Sequence, residues 1–213
     1  MSVRSAEAAD LAPLALLWWR GWRDAHLPIV PKALATRSTL DSFIDRMAVA
    51  MPRIRTMGPV GAPFGFHLIK GDELHQLYVA EESRGAGIAA LLMIDAENRL
   101  LEAGATKSWL ACTVGNTRAA RFYQKAGWTL ARTQTLPSEI PGGWFPLKAW
   151  RYEKTLTQRS AWAARAESEQ LEARLPSLRG STEDEGRQAG VYLTSDGVPW
   201  GRRAGDRLGS RQV

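Results

Sequence analysis

His75–Glu97, HQLYVAEESRGAGIAALLMIDAE, decides the fold. Its opening residues are apolar and β-prone. Two glycines, Gly85 and Gly87, then flank Ala86, and a long apolar run follows. Glycine lacks a Cβ, so it tolerates backbone angles that other residues resist and lets a ligand approach the main chain. The segment reads as strand, glycine turn and helix, with the backbone N–H groups of Gly85, Ala86, Gly87, Ile88 and Ala89 at the positive end of the helix dipole. Such a turn suits a pyrophosphate. A tight connection with no ligand has the same composition, so a second feature has to decide.

Two nucleotide folds are excluded by the residues themselves. A nucleotide P-loop needs Lys-Ser or Lys-Thr after the last glycine, where Ile88-Ala89 stand; a dinucleotide fold needs a third glycine and an acid ending the next strand, where Cys112-Thr113-Val114-Gly115 lies.

Outward from this stretch, Leu11, Leu14, Ala15, Trp18, Trp22 and Ala25 recur at helical spacing, with Asp10 as the expected cap and Pro13 in the first turn. A second helix is expected at 38–50. Strands are expected at 53–57, 64–70 and 74–79, joined by tight turns as a meander. The helix opening at Gly87 runs to Glu102, with a polar stripe of Asp95, Asn98, Arg99 and Glu102, and Gly104 stops it. KSWLACTV is a strand, Asn116 caps a short helix, and WTLARTQT and KAWRYEKTL are two final strands. No internal repeat is visible. The expected domain is 1–156. Residues 157–175 read as a helical extension and 176–213 as a disordered tail, rich in Gly, Arg, Ser and Asp without apolar period.

With 213 residues and 45% hydrophobic content, the chain supports one buried domain and an additional segment. No run approaches the roughly 20 apolar residues of a membrane span, and MSVRSAEAAD lacks the apolar core of a secretory signal, so a cytoplasmic location and no membrane contact are expected. One cysteine and three histidines supply neither a disulfide nor a metal cage, and no metal is expected. The net charge of +6 is spread without a basic cluster, which argues against a nucleic-acid partner.

The glycine stretch resembles the acetyl-CoA-binding motif of the GNAT N-acetyltransferase superfamily, in which Gln or Arg, two residues, Gly, one residue, then Gly or Ala follow a central strand. Arg84, Gly87 and Ala89 satisfy it. GNTRAARFYQKAGW, 115–128, resembles the family's next motif: an Asn, a helix carrying Phe-Tyr, and a Gly followed by an aromatic. The resemblance covers 3 to about 156. It implies a mixed α/β fold: a mostly antiparallel twisted sheet of six to seven strands with about four helices, splayed at the acetyl-CoA site.

The resemblance further implies acetyl-CoA as cosubstrate. Its pantetheine arm would pair with the backbone of Leu77, Tyr78 and Val79, and its pyrophosphate would lie on the amides of 85–89. Arg84 either reaches a phosphate or caps the turn; Asn116 either contacts the cofactor or caps its helix, with Ala119 one turn on. Transfer to an amine needs a neutral nucleophile, a polarised thioester and a proton for the leaving thiolate. Tyr123 matches the family tyrosine that protonates coenzyme A sulfur, as a phenol of pKa about 10 can, or else is a core aromatic. A backbone N–H of Leu77 or Val79 polarises the carbonyl. Glu73, where several family members carry a catalytic glutamate, or His75, sharing its face, is the base. Cys112, alone in an apolar strand, reads as a small buried hydrophobe rather than a nucleophile.

The family builds its acceptor pocket from the loop after the first helix and the connection between the last two strands, here WRDAHLPIVP and PSEIPGGWFPLKAW. Both are aromatic and poor in carboxylates. The expected acceptor is a small-molecule or peptide amine, and the expected assembly a monomer or homodimer. Two other readings stand beside this one: a toxin-type acetyltransferase acting on aminoacyl-tRNA, and a module that binds acetyl-CoA without turnover.

Overall fold

The computed structural model describes residues 2–157; the readings made for the helical extension and the tail lie outside the described residues. In chain order the elements are β1 (Arg4–Ser5), α1 (Leu11–His26), α2 (Lys32–Arg37), α3 (Leu40–Ala50), β2 (Arg55–Met57), β3 (Gly65–Lys70), β4 (Glu73–Val79), α4 (Ile88–Glu102), β5 (Lys107–Thr113), α5 (Thr117–Lys125), β6 (Thr129–Ile140) and β7 (Gly143–Thr155). Seven strands form one sheet in the order β1-β2-β3-β4-β5-β7-β6, with every neighbouring pair antiparallel except β4 and β5.

Strand alternation divides β3 between two layers. Phe66 and Leu68 pack with Leu14, Trp18 and Trp22 of α1 and Phe43 and Met47 of α3, where Trp18 meets the edges of Phe43 and Phe66 at 5.2 and 5.8 Å. His67, between them, reaches Asp95 of α4 on the opposite face. A second cluster joins Met93 and Ala96 of α4 to Ala120 of α5, Leu110 of β5, Trp128 and Tyr152. Trp128 has its indole N–H on Glu97, which also takes Lys154, so the aromatic after Gly127 ties α4 to β7.

Four sequence expectations need correction. Asp10 stands at the N-cap position of α1 as expected, but its side chain makes no capping bond: its carboxylate accepts from Arg4 and from the backbone N–H groups of Glu7 and Gly61, tying the start of α1 to β1 and to the loop before β3. Those partners leave it no free direction towards the helix amides. The first acceptor segment is not a loop throughout, since Trp22–His26 belong to α1 and a short α2 follows Pro31. The segment between the last strands is likewise no loop, because β6 and β7 form one hairpin that turns only at Pro141-Gly142. Finally, β4 carries a bulge: Leu68 faces Gln76 and Ile69 faces Leu74, leaving His75 as the extra residue.

Candidate active site

The splay begins where β4 meets β5. Their only register pair is Glu73 with Trp109, so from His75 onwards the β5-facing edge of β4 has no strand beside it. The Ala80 N–H donates to Phe64 on the β3 side. Alternation then directs the N–H groups of Leu77 and Val79 towards the open edge. An extended ligand arm can add there as a strand would.

Below that edge, Gly85 and Gly87 have φ of 80° and 85°, left-handed values that favour glycine, and Gly87 is the N-cap of α4. The main chain turns so sharply that the N–H groups of Gly85, Ala86, Gly87, Ile88 and Ala89 have no partner among the described residues; the first helical donor in use is Ala90, to Gly87. Five successive free amides at a helix start form an anion cradle. Ala86 packs against the cluster of Met57, Ile88, Leu91 and Leu92 and, unlike Gly85, Gly87, Ile88 and Ala89, does not line the cleft. The residues therefore fit a pyrophosphate carrying an extended arm.

Arg84 points across the mouth. Its Nη2 lies 2.9 Å from Oδ2 of Asp24 on α1, and Arg118 of α5 meets the same oxygen at 2.5 Å. Arg118, then Arg84, hold the Asp24 carboxyl below its ordinary range. Asn116 is the N-cap of α5, its Oδ1 accepting from the Ala119 N–H at 3.1 Å, and both residues also line the cleft.

One cleft of about 980 Å³ runs along the splay and receives Glu73, His75, Leu77, Tyr78, Val79, Arg84, Asn116, Ala119 and Tyr123 together. Oε1 of Glu73 and Nδ1 of His75 are 3.2 Å apart, at an angle too oblique for a hydrogen bond. Tyr123 stands between Phe122 and Tyr152, with ring centroids at 5.6 and 6.0 Å, and burial pushes its phenol above its usual pKa. Its hydroxyl is therefore protonated at neutral pH. Cys112 is buried, its Sγ 3.6 Å from the Asn116 carbonyl, and desolvation pushes the thiol up to about 12. A thiolate there is disfavoured, which supports the packing role.

The far half of the cleft was less legible in sequence. The side chain of Tyr78 turns to the α1 face, stacking on Phe66 and pressing against Gly21, while its backbone faces Phe66 of β3 rather than the open edge, so of the three residues expected to meet the pantetheine arm only Leu77 and Val79 present backbone there. The β6–β7 hairpin brings Leu136, Glu139, Trp144 and Leu147 to the same cleft, with Phe145 and Leu147 packing on the α1–α3 cluster. Arg46 of α3 lines it too. A signal for Arg46 existed: Phe43, Met47 and Ala50 set an apolar helix face at i, i+4 and i+7, and a charge interrupts that face at i+3.

Among the described residues, no group of three His, Cys, Asp or Glu could hold a metal ion, and no helix is long and apolar enough to cross a membrane.

The splayed seven-stranded sheet, with free amides at the start of the helix that follows, is similar to the fold of solved GNAT acetyltransferases. The model of the acetyltransferase (GNAT) family matches residues 64–128, which contain β3 through α5. An uncharacterized N-acetyltransferase of Mycobacterium bovis is 39% identical over 72 residues, 32% of this chain and 46% of the relative. The chain thus spans about half the length of the curated relatives it matches. Among solved structures, a GCN5-related N-acetyltransferase from Rhodopseudomonas palustris superposes with a TM-score of 0.57 at 20% identity, covering 73% of this chain and 95% of the other. PaiA N-acetyltransferase of Thermoplasma acidophilum, solved with coenzyme A, gives 0.55 at 17% identity, covering 72% and 98%. At such identities the solved structures speak for the fold.

Proposed function

We propose that the protein is an N-acetyltransferase that moves the acetyl group of acetyl-CoA to a primary amine by direct attack within a ternary complex. The observation that carries this reading is the run of five unpartnered amides, Gly85 to Ala89, directly after the open edge of β4. The match of the GNAT family model to residues 64–128 supports it independently.

Bound acetyl-CoA would supply the activated acyl group. The amides of 85–89 would hold its pyrophosphate, and the free N–H and C=O groups of Leu77 and Val79 its pantetheine arm. The same N–H groups stand where a thioester oxygen gains negative charge during attack, and fixed backbone donors cost no reorganisation at that moment. Glu73, with His75 against it, takes the proton of the amine directly or through water, because an ammonium is not a nucleophile. Tyr123 would give its proton to the departing sulfur; burial keeps its phenol protonated at neutral pH and makes it a weaker acid than a free phenol, so the role rests on its place in the cleft. Cys112 takes no covalent part.

The test is coenzyme A release measured with a thiol reagent, in the presence and absence of a panel of primary amines. Amine-dependent release is expected. Tight acetyl-CoA binding with no release for any amine would overturn the catalytic reading and leave a binding module; release only with aminoacyl-tRNA would move the acceptor to the toxin class.

A further inference from the structure

Among the described residues, Arg46 is the one half-buried cation with no carboxylate within ion-pair distance. Among the described residues, Arg4, Arg55, Arg84, Arg151 and Lys154 are also half-buried, and each has a carboxylate: Asp10, Asp95, Asp24, Glu153 and Glu97 respectively. Arg46 has none within ion-pair distance. Its Nε–H donates to the Ser42 carbonyl of its own helix at 3.0 Å. Its guanidinium lies 3.9 Å from the centroid of the Phe43 ring and 5.0 Å from that of Trp18.

This arrangement is chemically specific. Aromatic faces stabilise a cation and fix the plane of the guanidinium but use none of its N–H groups. Burial strips part of its hydration and lowers its pKa, although an arginine stays charged. Glu139, exposed on the hairpin, adds a favourable field from beyond pairing distance, and the Tyr78 phenol adds a smaller one. The fork of N–H groups at the guanidinium end therefore belongs to a cation held flat in the acceptor half of the cleft, where a carboxylate can meet it bidentately. Trp22, Trp144 and Leu147 make the surrounding wall apolar.

We propose that Arg46 recognises a carboxylate of the acceptor, so that the substrate is an amine that also bears a carboxylate and an apolar side chain, of the α-amino acid class, rather than a polycation. The proposal rests on the acetyltransferase reading above and narrows its acceptor.

The experiment compares acids with their decarboxylated counterparts. Coenzyme A release is measured for apolar α-amino acids, phenylalanine and leucine among them, and for the matching amines, such as 2-phenylethylamine. The enzymes are wild type, Arg46→Lys and Arg46→Met, with acetyl-CoA binding and thermal unfolding of each variant as controls. Wild type should favour at least one acid over its amine by about 10- to 100-fold in kcat/KM, the range of a charge-assisted contact. Arg46→Met should erase that preference through KM while still binding acetyl-CoA, and Arg46→Lys should keep part of it. Equal use of acids and amines by wild type, acetyl-CoA binding without acetylation of any acid, or an undiminished preference in folded Arg46→Met would each overturn the assignment. Failure to bind acetyl-CoA at all would instead bring down the acetyltransferase reading beneath it.

Discussion

Oδ2 of Asp24 sits 2.9 Å from Nη2 of Arg84, joining the last full turn of α1 to the loop that opens the anion cradle. Arg118 from α5 lands on the same oxygen, so one carboxylate draws two guanidiniums together at the mouth of the cleft. In this position the carboxylate occupies two cations that a phosphate could use. Asp24→Asn should therefore tighten coenzyme A binding, by about two- to fivefold, since exposed ion pairs are each worth up to ~1 kcal/mol. It should also steepen the salt dependence of binding. Titration calorimetry at two ionic strengths would measure both. Weaker binding by the variant would mean that Asp24 positions the arginines for the cofactor rather than competing for them.

The proton-transfer groups should separate cleanly from the binding groups. Glu73→Gln and Tyr123→Phe are each expected to lower kcat about 100-fold, at the lower end of general acid–base effects, with acetyl-CoA affinity within twofold of wild type. Loss of affinity in step with kcat would place these side chains in packing instead. His75→Ala is the companion measurement. A small effect beside a large one for Glu73→Gln would assign the base to the carboxylate.

Gly21 offers a packing test with opposing contributions. A Cβ at this position in α1 would come 2.8 Å from Cδ1 of Tyr78. Replacing a mid-helix glycine by alanine gains about 0.5–1 kcal/mol of helix stability, whereas forcing an extra carbon into a packed site costs about 1–3 kcal/mol. The clash should win. Gly21→Ala is predicted to lower the unfolding midpoint by a few degrees and to raise KM for the acceptor, because Tyr78 must yield into the acceptor half. A stabilised variant would show that the ring moves freely.

Stability should fall on mild acidification. His67 is fully buried, its Nε2 is 2.6 Å from Oδ2 of Asp95, and its Nδ1 has no partner. The neutral ring with the proton on Nε2 suits this site; a second proton would bury an unanswered N–H. Asp95 already has Arg55 at 3.6 Å. Desolvation accordingly depresses the pKa of His67 below its ordinary 6.5, and that of buried His26 likewise. The unfolded chain then binds these protons more readily, so the stability they contribute is present above pH about 6.5 and is lost as pH falls below it. Thermal midpoints should drop between pH 7 and 5, and His67→Gln should show a shallower drop. An unchanged pH slope would indicate that His67 is already charged against Asp95.

The glycine turn was readable because a left-handed turn before a helix leaves Gly85 and Gly87 few substitutes. The second motif was readable through Asn116, whose short side chain caps α5 as its type suggests. The acceptor half was not. Pro137, Pro141, Gly142, Gly143 and Pro146 punctuate the last connection as a loop would, yet Pro137 faces Pro146 across the hairpin, so two missing donors fall on a single rung. On its other side β7 pairs with β5 only as far as Ala149, so Pro146 forfeits nothing there. The bulge at His75 left a fainter trace. Leu74 and Leu77 both face α4, a spacing of three where a regular strand repeats in two. Arg46 and Asp24 lie on helices far in sequence from the cleft's other walls, and only the packing of α1 and α3 on β3 brings them there.

Thermal unfolding of the wild type and of Gly87→Trp, each with and without excess acetyl-CoA, tests the central claim most directly. A ligand confined to the folded state, present at a hundred times its dissociation constant, adds about 2.7 kcal/mol. For a chain of this size that raises the midpoint by roughly 5–10 °C. The wild type should show this rise and Gly87→Trp, whose side chain would fill the cradle, should not, whatever its own midpoint. No rise in the wild type, or the same rise in both, would contradict the claim that the amides of 85–89 hold the cofactor.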